Sequence, residues 1–265
     1  MNSGVKEIIK NWRIAWWGYS IYLGARPFLQ FRLLAWIRHW IRFQQDWRHY
    51  KKMSPEPGFQ LDSKDWIPCL NDRTSHTPLD PVYFHQDVWA AGIIFRLQPK
   101  THIDIGSAAT TVGIISQFVP TTMIDIRPLP LQVPGLTFQE GSILALPFSD
   151  NSVSSVSSLC VVEHIGLGRY GDPIQPGGSE AAIKELQRVL TPGGNLLFSV
   201  PIDAYNRIYF NAHRAFTREY ILSQFDQCEV CEEKYIYGKN RVDNYNPQMG
   251  FGTGLFWLRK KQINP

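Results

Sequence analysis

Charged residues are scarce, at 19% of the 265-residue chain, and there are only four cysteines (Cys69, Cys160, Cys228, Cys231). The first scarcity comes with a 44% hydrophobic fraction, which excludes the highly charged, apolar-poor composition of an unfolded chain. The second, without a secretory leader, argues against a disulfide-built scaffold and leads to the expectation of a reducing, cytoplasmic compartment. Long apolar runs are lacking near the N-terminus: the longest uncharged stretch there, Ile14–Ala25, has 12 residues, whereas a bilayer crossing takes about 20. Arg13 would interrupt the apolar region of a signal peptide, and no convincing small-residue cleavage site follows. A nucleophile elbow, a phosphate-loop lysine signature and a paired-histidine zinc helix are also missing. Cys228 and Cys231 have metal-like spacing, but on a strand they would face opposite sides, and no second pair is nearby, so no metal is expected.

Charge is distributed unevenly. Residues 1–52 carry ten Lys/Arg against two acids, a net of +8, which leaves −4 for the remainder of a chain with net charge +4. Six of the nine tryptophans lie in the same segment. There Val5, Ile8, Ile9, Trp12, Trp16 and Tyr19 recur at helical spacing, with Lys6, Lys10 and Arg13 off the stripe. After Pro27 a second stripe of Leu29, Leu33, Trp36, Trp40 and Trp47 shares one face, with Arg38 and Arg42 on the other. Two amphipathic helices are expected. They either lie on an anionic membrane surface through residues 5–52, or pack against the rest of the chain or a second subunit. Nucleic acid is not an expected partner, because the larger part of the chain is net acidic and the basic segment has no recognition motif.

Residues 53–82 are rich in Pro, Asp and Ser and read as a linker. The expected organisation is a helical extension (1–52), this linker (53–82) and a catalytic domain (83–265). In the last, helices are expected at 83–96, 110–118, 179–189 and 217–225. Strands are expected at 101–106, 121–126, 136–139, 153–161, 195–200, 229–237 and 254–260. Thr191-Pro192-Gly193-Gly194 is a strong helix stop before the strand at 195. Strands alternating with helices predict an α/β fold with a mostly parallel sheet, helices on both faces, and ligands at the strands' carboxyl ends. The final two strands, with no helix between them, predict an antiparallel hairpin.

Two local patterns point to a nucleotide-like ligand. Asp104-Ile105-Gly106-Ser107-Ala108-Ala109 closes a strand with small residues that let backbone amides approach a ligand. Asp125 ends the next strand 19 residues after Gly106, where a carboxylate can accept two hydrogen bonds from a ribose diol. The alternative for Asp125 is a turn cap before Pro128.

Two further runs are Ser158-Leu159-Cys160-Val161-Val162-Glu163-His164-Ile165 and Glu185-Leu186-Gln187-Arg188-Val189-Leu190-Thr191-Pro192-Gly193-Gly194. Together they resemble class I S-adenosylmethionine-dependent methyltransferases over about residues 100–260. Residues 83–97 and the loop Gly166–Gly178 are further similar to a bacterial branch associated with surface-polysaccharide genes. The resemblance implies a Rossmann-like methyltransferase fold with S-adenosylmethionine as cofactor. It places Asp104, Gly106, Ser107 and Ala108 around the methionine portion, Asp125 on the ribose, Ser142 and Ile143 beside the adenine, and Leu159 and Cys160 on the methionine side. Ala108 and Thr110 stand where the superfamily has its second and third glycines, and Ser142 stands where an acid commonly meets the adenine amine.

Methyl transfer to a hydroxyl requires alignment of the acceptor and removal of its proton. Candidates for the catalytic role are His164, Asp172 and His213, with Arg169 and Tyr170 nearby. His164 can equally serve packing and positioning, and Asp172-Pro173 can shape a turn. The leading expectation is O-methylation of a sugar hydroxyl on a small-molecule or lipid-linked saccharide, in the cytoplasm or at the inner face of the plasma membrane. The competing readings are a non-catalytic scaffold that kept the fold, and a nicotinamide oxidoreductase.

Overall fold

The computed structural model describes residues 33–53 and 58–262. These fall into two compact units divided between Pro78 and Leu79. In the first, residues 33–52 form helix α1. Trp66, which follows the 3-10 turn Ser63–Asp65, packs edge-on against Trp40, Phe43 and Trp47 with ring centroids 5.2–6.3 Å apart. The expected stripe is therefore covered only in part: Leu33 and Trp36 are exposed. Leu29 and the first stripe, Val5 to Tyr19, lie outside the described residues. No helix among the described residues is long and apolar enough to cross a membrane.

The second unit begins with α2 (Pro81–Leu97). Asp80 caps it by accepting hydrogen bonds from the Val82 and Tyr83 amides, and Pro81 occupies the first turn, where no amide partner is needed. Then follow β1 (His102–Ile105), α3 (Ala109–Ile115), β2 (Thr121–Asp125), β3 (Leu136–Glu140), β4 (Val153–Leu159), α4 (Gly178–Val189) and β5 (Leu190–Ile202). The chain continues through β6 (Arg207–Tyr209), β7 (His213–Ala215), α5 (Arg218–Ser223), β8 (Cys228–Tyr237), β9 (Asn240–Val242) and β10 (Gly252–Lys260). Eight strands form one sheet in the order β3-β2-β1-β4-β5-β10-β8-β9, parallel from β3 through β5. β10 runs antiparallel to both of its neighbours, β5 and β8.

Alternation along the strands divides the core into two layers. Leu196, Phe198 and Val200 of β5 pack with Ile183 and Leu186 of α4 and Ile221 of α5, whereas Leu197 packs with Trp89, Ile93 and Ile94 of α2 and Ile115 of α3. Each of these large side chains contributes about 1.5–3 kcal/mol by leaving water. One seam is polar. Ser155 and Ser157 of β4 hydrogen-bond the two ring nitrogens of buried His102 at 2.8 and 2.9 Å, and Ser157 Oγ donates to Asp104 at 2.5 Å. Burial pushes His102 down to about 3, so it stays neutral.

One expectation is corrected. β5 starts at Leu190, not at 195: fully buried Leu190 already pairs with Val153, and Thr191–Gly194 bulge out before Asn195 pairs with Ser155, with Gly193 at φ +77°. The last two expected strands do pair antiparallel, β8 with β10, while the chain between them turns through Gly238 into the short strand β9 on the outer side of β8. β6 and β7 form a separate two-stranded hairpin between β5 and α5 that no sequence pattern announced.

Candidate functional site

A cavity of about 440 Å³ opens at the carboxyl ends of β1, β2, β3 and β4. That is within the usual range for small-ligand sites, about 300–1,000 Å³. Gly106, Ser107 and Ala108 form its floor as the chain turns from β1 into α3. Gly106 has φ +70°, and a Cβ there would come within 3.0 Å of Val161 Cγ1, so both its conformation and its closeness to the segment after β4 call for glycine. Asp104 lies beneath this turn, fully buried. It accepts from the Ser107 amide at 3.0 Å and from Ser157 Oγ. Burial pushes its carboxyl up to about 6.

Asp125 lines the cavity at the end of β2 and is already engaged. It accepts from the Arg127 amide at 2.8 Å and from Arg127 Nε and Nη2 at 3.2 Å each. The Arg127 guanidinium carbon also sits 4.5 Å from the Tyr170 ring centroid, and that of Arg169 lies 5.0 Å from the same centroid. Tyr170 and Arg127 both line the cavity, so this contact links Asp125 to the loop after β4. Ser142 and Ile143 line the wall after β3, with Ser142 Oγ accepting from the Leu144 amide at 3.2 Å.

Leu159 and Cys160 line the β4 side. Cys160 adopts φ +54°; its amide donates to the Ser199 carbonyl, and its thiol donates to buried Gln86 Oε1 at 3.0 Å. Ser199 Oγ donates to the same Gln86 oxygen at 2.6 Å. Burial raises the Cys160 thiol well above its ordinary range, so it remains a thiol.

The three residues expected to be catalytic separate. His164 lines the cavity; its Nδ1 lies 2.7 Å from the Ala212 carbonyl, an acceptor only, and farther, 3.3 Å, from the Arg169 guanidinium, so the shorter contact puts the proton on Nδ1 and leaves Nε2 its lone pair. Burial lowers its pKa from the ordinary value, which keeps the imidazole neutral and able to accept a proton. Asp172 also lines the cavity, but its carboxylate accepts from the amides of Gly166, Gly168 and Tyr170 at 2.8–3.3 Å and so organises the loop. His213 starts β7 outside the cavity lining, with its ring 4.9 Å from Tyr209 and 5.5 Å from Phe251. The hairpin reaches the cavity wall through Ala212, whose carbonyl accepts from both His164 and Arg169.

Tyr83, Gln86, Arg127 and Glu163 were not singled out from the sequence. Gln86 had a signal, a polar residue on the apolar face of a helix; Arg127 had only its closeness to Asp125. Among the described residues no group of three His, Cys, Asp or Glu side chains could hold a metal ion.

The model of a family described as a Caenorhabditis protein of unknown function, DUF268, matches residues 148–227. No curated protein matches the chain. Among solved structures, the [4+2]-cyclase SpnF is similar at 14% identity and TM-score 0.50, over 67% of this chain and 81% of its own. A candidate sarcosine dimethylglycine methyltransferase from Galdieria sulphuraria is similar at 16% identity and TM-score 0.50, over 68% of this chain and 87% of its own. The fold is the Rossmann-like methyltransferase fold. Within that fold the cavity occupies the expected place, beyond the carboxyl ends of the strands. A methyltransferase fold does not itself fix an activity, as the cyclase among these neighbours illustrates, so function has to be argued from the site.

Proposed function

We propose that this chain is an S-adenosylmethionine-dependent methyltransferase that methylates a hydroxyl group of a saccharide. The observation that carries this reading is a single cavity with the Gly106 turn and Asp125 on one side and the neutral imidazole of His164 on the other. The residues fit the cofactor. Asp125 has the chemistry to hold a ribose diol, the Gly106–Ala108 turn leaves room for close approach, and Asp104, buried outside the cavity lining, holds that turn through the Ser107 amide. When bound, S-adenosylmethionine supplies an activated methyl group on a sulfonium. The protein's part is to align the acceptor, exclude water and remove a proton. His164 Nε2 takes the hydroxyl proton, while Tyr170, in contact with Arg127 and Arg169, lines the cavity wall. A saccharide acceptor is supported by the sequence resemblance. The exposed rings of Tyr209, Phe210 and Phe251 supply flat apolar surfaces near the hairpin that touches His164.

Calorimetric titration of the full chain with S-adenosylhomocysteine tests the reading, with Asp125→Ala and NADH as controls. Saturable binding that is lost in the variant and absent for NADH supports it. No binding by folded, monodisperse protein refutes it. A second reading, a scaffold that no longer takes the nucleotide, is favoured by the occupation of Asp125 by Arg127, and the same titration separates the two. For α1 we propose peripheral contact with an anionic membrane, supported by the exposure of Leu33, Leu34, Trp36, Ile37 and Ile41. Sedimentation with anionic liposomes, comparing the full chain with one starting at Met53, checks this; equal pelleting excludes it.

A further inference from the structure

Glu163 is a buried ionisable group beside the cavity-lining His164 that this reaction scheme leaves unused. It follows β4 in the 3-10 turn Val162–His164 and is 2% exposed. Its Oε2 has no hydrogen-bond partner, and its Oε1 lies 3.8 Å from His164 Nε2, the nitrogen that keeps its lone pair. A buried carboxyl with an unpartnered oxygen calls for an explanation, because leaving such a group unsatisfied costs about 1–3 kcal/mol.

We infer that Glu163 is a positioning residue acting through His164, its carboxylate balancing the charge that His164 takes on with the acceptor's proton. This rests on the methyltransferase reading. In the step, the acceptor oxygen bonds to the methyl carbon, and the sulfur–carbon bond breaks with its electron pair left on sulfur. The hydroxyl proton passes to His164 Nε2, and the Glu163 carboxylate 3.8 Å away balances the positive charge of the imidazolium so formed. Ala212 fixes the ring by accepting from Nδ1, which leaves Nε2 as the nitrogen that takes the proton.

The charged and titratable groups around this pair are Tyr83 and Asp87 of α2, Cys160 at the end of β4, Arg169 and Asp172 of the loop, His213 of β7, and the Arg214–Glu180 ion pair between β7 and α4. Arg169 is the cation that acts on Glu163, and its guanidinium is bonded to the Ala212 carbonyl. Burial thus prevails and pushes the Glu163 carboxyl up to about 8. The pair gains a carboxylate, and with it the capacity to take up a proton, as pH rises through that value.

The test is nitrogen-15 NMR of the cofactor-free full chain from about pH 6 to about pH 10, with the His164 signal identified by its loss in His164→Asn. The expected result is an Nδ1-protonated tautomer whose Nε2 shift steps once near pH 8, with the step gone in Glu163→Gln. A flat Nε2 shift in the wild type, or a step that persists in Glu163→Gln, overturns the inference. Carbon-13 titration of the wild-type Glu163 carboxyl needs no variant to fold. A midpoint near 8 supports the inference, and one in the ordinary carboxylate range refutes it. Calorimetry of the wild type with S-adenosylhomocysteine keeps the two readings apart: absent binding sinks the cofactor, whereas the NMR step stands or falls independently of it.

Discussion

Replacing Arg127 by alanine should strengthen nucleotide binding, against the ordinary expectation for removing a cavity-lining residue. In the ligand-free protein the Arg127 guanidinium makes two 3.2 Å hydrogen bonds to Asp125 and rests 4.5 Å from the centre of the Tyr170 ring. A ribose that takes up Asp125 has to loosen this arrangement. Arg127 is 55% exposed, so the ion pair is worth about 0.2–1 kcal/mol, and an exposed cation–π contact adds about 0.5–1 kcal/mol. Removing a competing term of about 1–2 kcal/mol tightens binding roughly five- to thirtyfold. Calorimetric titration of Arg127→Ala and wild type with S-adenosylhomocysteine measures it directly. Because the competing pair is solvent-exposed, the gap between the two proteins should narrow as ionic strength rises. Binding weakened tenfold or more in the variant would refute the argument and make Arg127 a ligand contact in its own right.

Other outcomes follow from the same geometry. Asp104 is raised to about 6 in the folded protein from an ordinary 3.8, so its stabilisation is present below about pH 3.8 and lost as pH climbs through 6; thermal melts of cofactor-free Asp104→Asn should gain on wild type by on the order of 2–3 kcal/mol between pH 4 and 7, and no gain would refute this. Gly106→Ala should cost about 1–2 kcal/mol in urea denaturation, because its φ of +70° is left-handed, and should also weaken S-adenosylhomocysteine binding through the push on Val161. Arg214 donates to both oxygens of Glu180 at 2.7–2.8 Å and holds that carboxyl down to about 2. Arg214→Ala should therefore destabilise by about 1.5–3 kcal/mol at neutral pH, a deficit that shrinks as pH falls from 4.5 toward 2 and would be pH-independent if packing alone were lost.

Local chemistry explains what the sequence disclosed. Asp80-Pro81 and Gln98-Pro99 bracket α2, and an apolar run ending in Asp104-Ile105-Gly106 marks both a strand and the turn at its end. The start of β5 was hidden because Thr191-Pro192-Gly193-Gly194 is read as a stop, whereas the burial of Leu190 against the core is a tertiary fact. The β6–β7 hairpin has two three-residue strands and turns through Asn211 at φ +64° with no glycine, too short for periodicity to register. At the site, Gly106 and Asp125 are legible because each acts where its own strand ends. The Arg127–Tyr170 contact and the Gln86–Cys160–Ser199 network join residues from different elements, which only the assembled sheet brings together. Asp172 follows the same rule: its Pro173 neighbour hinted at a turn, but the amides it binds lie up to six residues back along the chain.

The place of β10 bears on how the protein is made. Of the eight strands in the main sheet, the last to leave the ribosome is one that must enter between two others. Until Gly252–Lys260 emerges, β5 and β8 each present an open row of backbone donors and acceptors, and Leu255, Phe256 and Leu258 are missing from the layers they complete. A nascent chain paused before that point exposes β5 and β8 as edges in addition to β3 and β9, the edge strands of the finished sheet. The strand that completes the sheet therefore also ends the exposure of β5 and β8 to neighbouring chains, and a stop codon just before residue 252 should yield aggregates in place of a smaller folded protein.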